Sequence, residues 1–182
     1  MRRPQSRILA LGCFLALFAS CGGEGDKPAP PETVYKTYLY VADSGGGVAG
    51  FNANSNTGDL TTMTGSPFAD GEGHDFITFG MSGKFAYVAN YASGTVSVFG
   101  IDDSSGALTE IAGSPFAAPP GQGAHAAAVD PTGELAYVAN VPNGVIDAFT
   151  VNETTGALAA IPGSPFFDGS SPSSLATVRI KQ

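Results

Sequence analysis

From Thr37 onward, apolar and β-branched residues come in short alternating runs, each closed by turn residues, and this pattern predicts strands. Within one stretch the runs are Phe76 to Phe79, Phe85 to Ala89, Thr95 to Phe99 and Leu108 to Ala112. Gly80-Met81-Ser82-Gly83 separates the first two, and Asp130-Pro131-Thr132-Gly133 stands at the same place further on. Both suit a tight turn, glycine being free to take a positive φ in each and Pro131 fixing φ in the second. Ile101 to Gly106 separates the last two runs and reads as a hairpin. No stretch beyond Thr37 sustains an apolar period of about 3.6 residues with helix caps, so the expected fold class is all-β.

The pattern repeats. Tyr40-Val41-Ala42-Asp43, Tyr87-Val88-Ala89-Asn90 and Tyr137-Val138-Ala139-Asn140 align with one another. So do Thr57 to Leu60, Ser105 to Leu108 and Thr155 to Leu158, and the three GSPF tetrads at 65–68, 113–116 and 163–166. A period of about 50 residues with strand content is that of a β-propeller blade, a four-stranded antiparallel sheet. Each GSPF is expected to follow the outermost strand and turn the chain toward the next blade, with its phenylalanine buried between neighbouring sheets. The repeats run 37–73, 74–123 and 124–173, and a closing strand is expected at 174–180. Because the first repeat lacks an innermost strand, about three blades' worth of strands is present. The arrangement fits a partial propeller, or half of a six-bladed ring in which two chains exchange strand 174–180 across Tyr38–Ala42.

The segments YVAN, SGTVSVF, SSGALTEIAGSPF and AVDPTGELAYVAN resemble the YVTN-type repeats of the β-propeller lactonase family, over about residues 37–180. The resemblance implies four-stranded blades, usually about seven, around a channel. It also implies a likeness to 6-phosphogluconolactonases, though one scaffold of this kind hosts many functions.

The N-terminus adds a different element. Arg2, Arg3 and Arg7 precede the apolar run Ile8 to Phe18, so residues 1–20 read as an export signal. Leu17 to Cys21 resembles the lipobox of bacterial lipoproteins, which predicts acylation of Cys21, a tether over 21–36 and attachment to a lipid bilayer. Gly22 after the cysteine, by analogy with Gram-negative sorting, points to the outer membrane of the cell envelope. Cys13 leaves with the signal, so no disulfide is expected. Loss of the three arginines moves the net charge from −8 to −11, which argues against nucleic-acid partners.

Candidate chemistry falls on the loops that enter the innermost strands and on the ends of the second strands. The first set offers His74, Asp75, His125 and Ser173, and the second Asp43, Asn90 and Asn140. Asp75 and His125 could act as a base and its orienting partner in opening a lactone with water, and the other five are candidate binding residues. No cofactor and no metal site is expected, since no HxH or DxD ligand pair occurs. Few Lys or Arg are available to grip a phosphate. The sequence therefore suggests a lipid-anchored envelope propeller that binds or scaffolds. The alternatives are a hydrolase of neutral lactones and a non-functional fragment of a longer propeller.

Overall fold

The computed structural model describes residues 35–181 apart from 46, 69–72, 120, 122 and 168. The export signal, Cys21 and most of the tether lie outside the described residues. Three antiparallel sheets follow one another along the chain. The first holds β1 (Thr37–Asp43), β2 (Gly47–Ala53) and β3 (Leu60–Thr62). The second holds β4 (His74–Phe79), β5 (Phe85–Asn90), β6 (Thr95–Ile101), β7 (Leu108–Glu110) and β8 (Phe116–Ala117). The third repeats this with β9 (Ala124–Val129), β10 (Leu135–Asn140), β11 (Val145–Val151), β12 (Leu158–Ala160) and β13 (Phe166–Phe167). These are the expected blades, and the first lacks its innermost strand, so β1 is an unpaired edge.

Local side-chain chemistry closes the hairpins. Asn54, Asp102 and Asn152 each accept the backbone N–H groups two and three residues ahead through Oδ1. This Asx geometry bends the chain without help from the ladder. A glycine at positive φ ends the turn, as at Gly106 (φ 73°) and Gly156 (φ 79°). Its lack of a side chain matters as much as its φ. A Cβ on Gly156 would stand 2.6 Å from the Phe85 ring, and one on Gly106 would stand 2.8 Å from that of Tyr38. An aromatic at the start of one blade's second strand thus lies on the hairpin glycine of the next blade.

GSPF occupies a different place from the one expected. It lies within the outer edge and divides that edge in two: β7 pairs with the far half of β6 and β8 with the near half. The Ser–Pro bonds are cis in all three copies. Where the outer strand bulges away, the serine hydroxyl takes the backbone's place as acceptor. Ser66, Ser114 and Ser164 receive the N–H groups of Gly50, Val98 and Ala148, each at 2.9 Å. Proline has no N–H to leave unpaired there. The edge then resumes with phenylalanine, Phe116 opposite Val96 and Phe166 opposite Ile146.

The core lies in the seams between blades. Tyr40, Val48, Met63 and Phe68 of the first blade pack on Val88, Phe99 and Leu108 of the second. Tyr87, Val96 and Val98 of the second pack with Val138, Phe149 and Leu158 of the third. Strand alternation explains the division: in YVAN the tyrosine faces the following blade and the valine the preceding one. Hydrogen bonds cross the first seam as well. Tyr40 Oη donates to the Gly106 carbonyl at 2.6 Å, and Tyr38 Oη and Lys36 Nζ to that of Ser104.

Residues 174–180 do not form a strand ladder in the single chain. They are held next to β9 by Thr177 Oγ1, which donates to the Val129 carbonyl at 2.8 Å.

Two substitutions test these devices by chemical denaturation. Ser114→Ala leaves the Val98 N–H without its acceptor and is expected to cost about 1–2 kcal/mol. Gly156→Ala is expected to cost about 2–4 kcal/mol, from left-handed strain and crowding against Phe85.

Candidate functional site

One rim of the blades gathers the starts of β4 and β9 and the ends of β1, β5 and β10. Here both innermost strands carry a β-bulge. His74 pairs with Asn90 and Phe76 with Ala89, leaving Asp75 over; Ala124 pairs with Asn140 and Ala126 with Ala139, leaving His125 over. A bulge re-aims the extra side chain away from the pleat. The glycine before each bulge lets the backbones close up. A Cβ on Gly73 would lie 2.9 Å from that of Ala92, and one on Gly123 would lie 2.8 Å from Asn140 Oδ1. The Tyr91 N–H donates to the Gly73 carbonyl within the second blade, and the Tyr91 carbonyl accepts from the Gly123 N–H of the next blade, both at 2.7 Å.

Asp75 and His125 therefore occupy equivalent bulges on adjacent inner strands, with Asp75 exposed and His125 half-buried. No hydrogen bond joins them. His125 meets the Tyr91 ring edge-on, with centroids 6.2 Å apart, and its buried Nδ1 has no hydrogen-bond partner. Tyr91 was not among the residues singled out from the sequence, although it directly follows YVAN.

Of the remaining candidates, Asp43, Asn90 and Asn140 are engaged in local hydrogen bonds. Asp43 accepts the Gly45 N–H at 3.0 Å. Asn90 donates to Thr95 Oγ1 and Ser97 Oγ, while its own Oδ1 is buried without a partner. Asn140 accepts from Asn143 Nδ2 at 2.9 Å and turns its own amide toward the Ala118 and Gly121 carbonyls. His74 is buried opposite Asn90 in the ladder, and Ser173 is exposed, away from both bulges in the chain.

Asp147 is the residue that sequence reasoning passed over. It occupies the position that Ser97 holds one blade earlier, visible as GVIDAF against GTVSVF. It lies in the second seam at 1% exposure, opposite Val138, and neither carboxylate oxygen has a hydrogen-bond partner. Burial pushes its carboxyl up to about 6; nearby Asn140 favours the charged form and offsets this only in part.

The described Lys and Arg residues lie at one rim, among the carboxylates of the hairpins and turns there. Lys36 and Lys84 precede β1 and β5 at the rim opposite the bulges. Arg179 shares a cleft there with the Asp130–Thr132 turn, and Lys181 follows shortly after. A second cleft of about 160 Å³, between Gly80–Lys84 and Thr132–Gly133, also lies at that opposite rim. None of the candidate residues lines either cleft. Among the described residues, no group of three or more His, Cys, Asp and Glu gathers as a metal site requires.

Antiparallel blades in succession, packed face to face and carrying candidate residues at one rim, define a β-propeller. The chain belongs to the family described as Lactonase, 7-bladed beta-propeller, whose model matches residues 22–176. Among solved structures it is similar to a candidate 6-phosphogluconolactonase of Bacteroides fragilis (23% identity, TM-score 0.63) and to a Lactobacillus plantarum protein (20%, 0.64). It is also similar to a periplasmic gluconolactonase of Pseudomonas aeruginosa (20%, 0.57). The matches cover 75%, 75% and 71% of this chain but 37%, 40% and 38% of those structures. The chain thus spans about two fifths of their length, and at these identities the likeness is one of fold. No curated protein matches the chain.

Asp147 makes stability depend on pH. Its folded carboxyl titrates near 6 and its unfolded one near 3.8, so the folded state binds more protons between these values. Its contribution is therefore least harmful below about pH 4, worsens as pH rises toward 6, and stays constant above. Asp147→Asn is expected to remove that slope, gaining on the order of 2 kcal/mol at pH 7 and almost nothing at pH 4. Urea denaturation at the two pH values measures the difference.

Proposed function

We propose that the chain is a lipid-anchored module of the cell envelope that binds a neutral ligand of the lactone class at the rim of Asp75 and His125. The observation that carries this reading is the pair of equivalent bulges, which frees one polar side chain per blade at the same rim. The lactone class is suggested by the family. Neutrality is suggested by the charges: Asp75 stands at this rim, while the described Lys and Arg residues stand at the other and could not grip a phosphate here.

A second reading is hydrolysis, suggested by the half-buried His125 imidazole at its bulge. In that reading the imidazole takes a proton from water as the water oxygen attacks the lactone carbonyl. The ring C–O bond then breaks, and the departing alkoxide takes the proton back. The Tyr91 edge would fix the ring's orientation.

Calorimetry with an unphosphorylated aldonolactone tests the binding reading, with His125→Ala expected to weaken affinity about tenfold or more. No binding by the unmodified chain, or equal binding by the variant, would reject it. Ring opening above the buffer rate that disappears in His125→Ala would establish the second reading instead.

The anchor rests on the Leu17–Cys21 motif. Cys21→Ser is expected to move the protein from the membrane fraction to the soluble fraction on cell fractionation. Its retention in the membrane would reject acylation at this residue.

A further inference from the structure

The second seam repeats a polar contact of the first with different residues, and the exchange leaves it short of hydrogen-bond donors. In the first seam the Asn90 amide gives N–H groups to Thr95 Oγ1 at 3.0 Å and to Ser97 Oγ at 2.9 Å, leaving its neutral Oδ1 over. The ladder register places Asn140, Val145 and Asp147 at the same three positions one blade later. Two hydroxyls, each a donor as well as an acceptor, are thus replaced by an isopropyl group and a carboxylate that only accepts.

Further acceptors gather at the same place. Asn140 Nδ2 stands 3.4 Å from the Ala118 carbonyl and 3.5 Å from that of Gly121, beyond the roughly 2.7–3.2 Å of a well-made N–H···O bond. One amide therefore serves two carbonyls and lies beside a carboxylate whose two oxygens have no hydrogen-bond partner. Asp147, Asn140 and Ala118 are 1%, 0% and 0% exposed, so bulk water does not make up the shortfall. The described Lys and Arg residues stand at the opposite rim, and no side-chain cation reaches the carboxylate. A charge buried in this way calls for a counter-charge.

The spacing of these groups says what kind of counter-charge fits. The two ends of an amide have nearly the same shape, so turning Asn140 end for end puts Oδ1 where Nδ2 stands. The exposed Asn143 amide, which donates to Asn140 Oδ1 at 2.9 Å, turns with it. An oxygen then lies 3.4 and 3.5 Å from two others. Neighbouring ligands on an octahedral cation with bonds of about 2.3–2.6 Å stand about 3.3–3.7 Å apart, which is the separation found here. We propose that the second seam binds a hard metal cation of calcium or sodium size, held by the Asp147 carboxylate, the Asn140 side-chain oxygen and the carbonyls of Ala118 and Gly121. Magnesium, with bonds of about 2.0–2.1 Å, is too small for that spacing. Carbonyls with a carboxylate suit such hard ions, whereas the grouped ionisable side chains of a zinc-type site are absent among the described residues. The cost of Asp147 at neutral pH derived above applies to the carboxylate with no cation beside it.

Urea denaturation of the full chain in mild detergent at pH 8 tests the proposal, in choline, sodium, magnesium and calcium chlorides matched for ionic strength. Calcium or sodium is expected to lower the unfolding equilibrium constant about tenfold or more relative to choline, and about tenfold further for each tenfold rise in that ion above saturation. Magnesium should have little effect. The response should vanish in Asp147→Asn, and also in Val145→Thr/Asp147→Ser, which restores the hydroxyls of the first seam and carries the test should the single variant fail to fold. It should persist in Asp103→Asn, which alters an exposed hairpin carboxylate. Calorimetric titration with calcium in choline buffer separates the two ions: one-site binding that Asp147→Asn abolishes identifies calcium, and its absence beside a sodium response identifies sodium. Equal unfolding in choline, sodium and calcium overturns the proposal. So do a magnesium effect equal to that of calcium, a response that survives both Asp147 variants, and one lost equally in Asp103→Asn.

Discussion

One constraint governs this molecule: the apolar face of a blade can be buried only by the opposite face of its neighbour. No helix layer covers the described sheets, and no sheet is long enough to fold on itself. The alternation of YVAN follows from this. Its tyrosine and valine point in opposite directions because each strand must feed two seams at once. The hairpin glycines follow too, since an aromatic from the blade before needs the space a Cβ would take. Asp147 is the exception within the core, a carboxylate placed where the preceding blade has a serine paired to an asparagine. Buried polar groups without partners are costly, so a carboxylate here lowers stability rather than adding to it.

Much of this was legible in the residues, and the parts that were not have identifiable causes. Period, strand count and the short first blade could be read because turn residues and β-branched runs recur at equivalent places. GSPF was misplaced by a few residues because a sequence shows a bend but not what the bend leaves unpaired. The serine hydroxyl standing in for a backbone acceptor becomes visible only when β6 is seen to continue past β7. The stretch 174–180 has a strand's composition, yet a strand is a relation between two segments, and here the Thr177 side chain rather than a ladder ties it to β9. At the rim, Asp75 and His125 were found by aligning loops, but that alignment could not reveal the bulges, which depend on ladder register. Tyr91 lay in plain view and was missed because it departs from its counterparts Ser44 and Val141.

The two rims have acquired different chemistry from the same repeat. At the bulged rim, glycine, histidine and carboxylate sit where backbones nearly touch, and the polar side chains of Asn90 and Asn140 hold the turns that frame them. The opposite rim bears the Asx hairpins and a mixture of carboxylates and cations. Divergence of this kind is open to a propeller because rim positions are free of the seam constraint, so the scaffold persists while its ends change.

The GSPF break has a further effect, on what the sheets cannot do. An outer strand exposed along its whole length would be a template for uncontrolled growth of the sheet, the usual route to aggregation. Here the outer edges are reduced to β7 and β12 of three residues each, followed by a proline and a side-chain acceptor that uses up the next N–H. Radial extension is thereby blocked in each copy of the motif. The longer open edges, β1, β4 and β9, lie at the opposite side of their sheets, so any strand added there would extend a blade inward rather than outward.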